Sequence, residues 1–70
     1  MNLRLEAAIQ VLEEEQRHCE DRASLLESYA ADLNEDCQHA VFGVIVRERQ
    51  LAQAIRERLA ILRSHKLQGT

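Results

Sequence analysis

Proline is absent from this 70-residue chain, and glycine occurs only twice, as Gly43 and Gly69. Before the last two residues, then, only Gly43 weakens a helix, because proline and glycine are the residues a helix interior tolerates least. Aromatics are nearly missing as well, with Tyr29 and Phe42 the only two. That excludes a globular core built on large anchors. Two cysteines, Cys19 and Cys37, are too few for a disulfide scaffold. The longest apolar run, Ala40 to Val46, is seven residues, against the ~20 that a membrane-spanning helix needs. The stretch from Met1 to Val11 carries Arg4 and Glu6 inside its apolar pattern and does not read as a leader. These absences predict a cytoplasmic chain with reduced thiols and no membrane association.

The residues that are present are strong helix formers: Ala, Leu, Glu, Gln and Arg dominate. A chain this short makes one domain at most, and a single core of this size contributes only ~3–5 kcal/mol of net stability. With disulfides and metal unsupported by the composition, a partner chain is the expected reinforcement. Net charge is −3, but the two halves differ in sign. Residues 1–36 hold ten acids and three bases, and residues 37–70 hold two acids and six bases, for nets of −7 and +4. Such halves can bind different things or bind each other.

In the first half, Leu5, Ile9, Leu12, Gln16, Cys19, Ala23, Leu26, Ala30 and Leu33 follow an alternating four–three spacing, interrupted in polarity only by Gln16. That is the seam of an amphipathic helix, and Val11, Leu25 and Tyr29 widen it. In the second half the seam recurs at Val41, Ile45, Ala52, Ile55, Leu59 and Leu62, flanked by Val44 and Leu51, with Glu48 its one polar member. The pattern predicts an all-α, antiparallel two-helix hairpin packed like a coiled coil, with helix one over about residues 3–33, a turn over 34–36 and helix two over about 37–66. Ser24-Leu25-Leu26-Glu27 has the form of a capping box, which allows a break in helix one near residues 21–24. Asn34 suits the turn, since asparagine both tolerates the left-handed conformation that ends helices and caps the start of one; Glu35 and Asp36 suit a first helical turn.

A turn there places residues opposite each other when their numbers sum to about 69–70. Glu6 then faces Arg63, Glu13 and Glu14 face Arg56, and Glu20 and Asp21 face Arg49. Exposed pairs are worth only ~0–1 kcal/mol each, so they select the register rather than hold the hairpin together.

Ala40 to Val46 is apolar all round, and one partner helix covers only one side. Gly43 could let Leu26 approach closely. Phe42 and Val46, four residues apart, are expected to point away from helix one and to form an interface. The candidate interface residues are Val41, Phe42, Val46, Leu25 and Tyr29, and the chain alone is expected to self-associate.

Signals for chemistry are weak. His18-Cys19 and Cys37-x-His39 are metal-ligand types, but in a hairpin Cys37 lies by the turn while Cys19 lies roughly 20 Å along the helix, too far for a shared ion or a disulfide. Glu13-Glu14-Glu15 point around the helix rather than converge. No phosphate loop, nucleophile elbow or Ser-His-Asp or Cys-His pairing is present. The basic half could track phosphates, but Glu48 and Glu57 interrupt it and no aromatic is interleaved for stacking. The expectation is a chain that is no enzyme, takes no cofactor or metal, and binds neither nucleic acid nor membrane.

The length, the missing proline, the acidic first and basic second helix, and the organisation from Ala30-Ala31-Asp32-Leu33-Asn34 to Leu51-Ala52-Gln53-Ala54 resemble one family. These are the small co-chaperones of type III secretion needle subunits, the YscE-, PscE- and EscE-like proteins. The resemblance spans Leu3 to Leu67 and carries over no functional residue. It implies a bacterial cytoplasmic hairpin that binds a larger helical-repeat, tetratricopeptide-like chaperone and with it keeps the needle subunit unpolymerised before export. The other function open to such a chain is that of a homo-oligomeric helical adaptor or regulator.

Overall fold

A computed structural model describes residues 2–68, which form two antiparallel helices: α1 (Leu3–Ala30) and α2 (Glu35–Gln68). The pair is 54 Å long and about as thick as two helices, 14 × 12 Å in cross-section. Both starts are capped by asparagine. The Asn2 Oδ1 accepts the Leu5 amide at 3.0 Å, and the Asn34 Oδ1 accepts the Cys37 amide at 2.9 Å. Each cap satisfies one of the amides that a helix start leaves without a partner.

The turn is earlier than the pattern predicts and one residue longer. Helix α1 stops at Ala30 rather than near residue 33, and α2 begins at Glu35. The Asp32 and Leu33 amides close three-residue turns on the carbonyls of Tyr29 and Ala30, each at 3.1 Å, and Gln38 Nε2 donates to the Ala30 carbonyl at 2.8 Å. The orphan carbonyls of α1 are thereby used, and Asn34 acts as a cap rather than in a left-handed conformation; no described residue has positive φ. Leu33 consequently falls beyond the seam and is exposed. Near residues 21–24 helix α1 runs unbroken, so the capping-box form of Ser24 is unused. Continuity there brings Ala23 fully into the seam, which a break would forfeit.

The buried residues are Ile9, Cys19 and Ala23 of α1 and Ile45, Ala52, Ile55 and Leu59 of α2, with Leu5, Leu12 and Leu62 packed partly buried against them. All ten belong to the predicted seam. The cross-helix charges pair, but one heptad away from the expected register. Glu13 meets Arg63 at 2.6 Å, Glu20 meets Arg56 at 2.8 Å, and Glu27 meets Arg49; Glu6 reaches Lys66 rather than Arg63, at 3.6 Å. Matching residues at equal distances from the turn overlooks how side chains lean. Every Cα–Cβ bond tilts towards the N-terminus of its own helix. On α1 that is away from the turn, and on α2 towards it, so an acid of α1 converges with a base several residues farther along α2. These side chains remain about half exposed, so each pair contributes no more than ~1 kcal/mol.

Candidate protein-interaction surface

Two helices side by side leave two broad faces, and the ladder of ion pairs marks one of them. Successive residues are turned by about 100°, so a residue two positions from a ladder member points to the opposite face. Val11 is two residues from Glu13, Leu25 and Tyr29 each two from Glu27, Leu51 two from Arg49, and Ile61 two from Arg63. All five are exposed. Val44, seven residues from Leu51, joins them. The face away from the ladder therefore carries these apolar residues, interleaved with Glu15, His18, Arg22, Arg47 and Arg58 at the same two-residue offset.

The five interface candidates do not share a face. Leu25 and Tyr29 lie on the apolar face, 53% and 58% exposed. Phe42 lies seven residues from Arg49 and Val46 three, so both belong to the ladder face; they are 60% and 41% exposed. Val41 sits at the seam and is half-buried. What the five share is proximity to the turn. Sequence reasoning passed over Val44, Leu51 and Ile61 as interface residues. The signal available was the two-residue offset of Leu51 and Ile61 from arginines that pair across the seam, and the seven-residue spacing of Val44 from Leu51.

Gly43 does not serve the approach of Leu26: a Cβ built at Gly43 meets nothing within 4 Å. An exposed helical glycine with open space around it only weakens the helix. Gly43→Ala is expected to stabilise the isolated chain by about 0.5–1 kcal/mol, read as a higher midpoint in urea followed by circular dichroism. A lower midpoint would show another helix seated directly on Gly43.

Halfway along, polar groups cross the seam. Arg22 Nη2 reaches Glu48 Oε2 at 3.1 Å, Glu15 Oε1 at 3.6 Å and Cys19 Sγ at 3.5 Å. On the ladder face, Glu20 Oε1 accepts from both Gln16 Nε2 and Arg56 Nη1 at 2.8 Å, and Arg56 also holds Gln53. Of the two polar interruptions legible in the stripe, Glu48 is met by Arg22 reaching in from the edge, and Gln16 donates to Glu20, the carboxylate that Arg56 also holds. The Arg22 guanidinium holds the Glu48 carboxyl below its usual range.

Burial pushes the Cys19 thiol up to about 11, and the adjacent Glu48 carboxylate adds to the effect. Cys19 is fully buried and Cys37 exposed. A thiol-specific reagent at neutral pH is therefore expected to modify Cys37 at once and Cys19 only at the rate of unfolding. The folded chain holds the Cys19 proton more tightly than the unfolded chain does. This contribution to stability is therefore complete below the unfolded value of about 9 and is lost as pH rises towards 11. Urea midpoints that stay constant between pH 8.5 and 11 in wild type would contradict the assignment; Cys19→Ala supplies the flat reference.

Among the described residues, no three His, Cys, Asp or Glu side chains gather as metal ligands would, and no helix is long and apolar enough to cross a membrane. Comparison with family models, with curated proteins and with solved structures finds no match to this chain.

Proposed function

We propose that the hairpin is a non-catalytic binding subunit, a co-chaperone of a bacterial type III secretion system. It presents apolar surface near its turn to a larger helical-repeat chaperone in the cytoplasm and helps hold the needle subunit unpolymerised before export. The observation that supports a binding role most directly is the imbalance between inside and outside. Seven residues are buried, three of them only Ala or Cys, while eleven large hydrophobics stand exposed among the described residues. Exposed apolar surface on that scale marks a protein interface. Leu25 and Tyr29 on one broad face, and Phe42 and Val46 on the other, flank one end of the hairpin. A concave groove that receives that end would touch both faces, which suits a helical-repeat partner.

The test is co-purification with a helical-repeat chaperone and needle subunit of a type III secretion system from the source genome; absence of both from that genome would overturn the proposal. Wild type is expected to form a soluble ternary complex. Phe42→Ser with Val46→Ser, or Leu25→Ser with Tyr29→Ser, should release the needle subunit to polymerise while helicity is retained. A complex indifferent to both pairs would overturn the proposal. A homo-oligomeric adaptor is the competing reading, and the exposed apolar residues spread along the face opposite the ladder, Val11, Leu25, Tyr29, Val44, Leu51 and Ile61, favour it.

A further inference from the structure

We propose that the face opposite the ion-pair ladder docks against the same face of a second copy, making a four-helix bundle in which α1 of each copy lies along α2 of the other and both turns sit at one end. The pairing buries Leu25 and Tyr29, which the proposed chaperone groove also takes, so it describes the chain without that partner.

Surface area supports a second copy. A folded monomer of 8.1 kDa exposes roughly 4,500 Å², whereas this hairpin exposes 5445 Å². The excess is close to the ~800 Å² that each partner contributes to an interface of standard size. A second hairpin laid on the broad face covers Leu25, Tyr29, Val44 and Leu51 together, along the length over which those residues lie.

Charge selects the arrangement. Two hairpins stacked face to face with two-fold symmetry have two choices. With the axis along the helices, α1 lies on α2 of the copy; with the axis across them, α1 lies on α1 and α2 on α2. The halves carry −7 and +4, so the second choice sets acid on acid and base on base, and the first sets acid on base. Cross-copy charge matching of this kind steers the arrangement more than it adds affinity.

Sedimentation and spin labelling test both parts. The purified chain is expected to be a dimer at tens of micromolar, and Tyr29→Asp with Leu51→Asp should weaken dimerisation by at least about tenfold. Both residues are exposed, so helicity should persist. A nitroxide on Cys37, the exposed thiol beside the turn, should report an inter-copy distance below about 35 Å, given helices packed 8–10 Å apart. The inverted arrangement would give a distance approaching the 54 Å length of the hairpin. A monomer, an inverted dimer, or a dimer that survives Tyr29→Asp with Leu51→Asp would each overturn the proposal.

Discussion

Leu59→Ala is expected to remove most of the stability of the isolated chain and to move its urea midpoint close to zero denaturant. Leu59 has no exposed surface and, with Cys19, is one of the two largest side chains buried completely. It packs in the cluster formed by Ile9, Cys19, Ala52 and Ile55, so the side chain of one α2 residue joins both helices. Truncating a buried leucine costs about 2–5 kcal/mol, with the low end applying where surroundings collapse into the space. Here there are only two helices and they can close part of the gap, so about 2–3 kcal/mol is the expected loss. Against a total of ~3–5 kcal/mol for a core of this size, that removes most of the margin. Far-UV circular dichroism in urea reads the effect directly. Leu67→Ala, at a site 84% exposed, should move the midpoint by no more than about 0.5 kcal/mol equivalent. Equal midpoints for the two variants would mean that the buried cluster is not what joins the helices.

The reason Leu59 could be singled out from sequence, while much of the surface could not, lies in what periodicity encodes. A four–three spacing states which side of a helix faces its neighbour, and every buried residue fell on it. It says little about where a helix ends, because ends are decided by a few hydrogen bonds. Asn34 was readable as either a left-handed terminator or a cap, and the amides of Asp32, Leu33 and Cys37 decide for the cap. Nor does the seam pattern state which charges meet. Pairing at equal heights set Glu13 and Glu20 one heptad from their arginines and left out Glu27, the acid that meets Arg49.

The spacing gives Phe42 and Val46 an outward direction but does not say on which broad face they lie relative to Leu25 and Tyr29. The ladder fixes which edge of each helix faces which way, and without it Phe42 and Tyr29 cannot be assigned to opposite faces. Gly43 was misread for a related reason. A glycine amid apolar residues suggests close packing, yet its position among exposed Phe42, Val44 and Val46 places it on the outside. The polar layer at Cys19, Arg22 and Glu48 was half legible. Gln16 and Glu48 stood out as breaks in the stripe, but Arg22 lies off the stripe, and only the folded geometry brings it to Glu48.

The same layer lies close to the second site of large expected effect. Ala52, 1% exposed, and Ala23, with no exposed surface, are the small residues of the seam, and small side chains let helix backbones approach. Ala52→Leu would insert three carbons where no space is available, and overpacking of this kind costs about 1–3 kcal/mol. In a larger protein the surrounding layers would resist separation of the helices and force strained rotamers instead. This hairpin has no surrounding layer, so α1 and α2 are expected to part locally. The ion pairs one turn to either side, Glu20–Arg56 and Glu27–Arg49, would then be stretched beyond contact. Ala60→Leu adds the same atoms at an exposed position of α2 and should be nearly neutral, since alanine and leucine differ little in helix propensity. A urea midpoint for Ala52→Leu at or above that of Ala60→Leu would show room at the seam and place the closest approach of the helices elsewhere. A midpoint well below it, accompanied by loss of protection from amide exchange between residues 45 and 59, is the outcome that close packing at Ala52 requires.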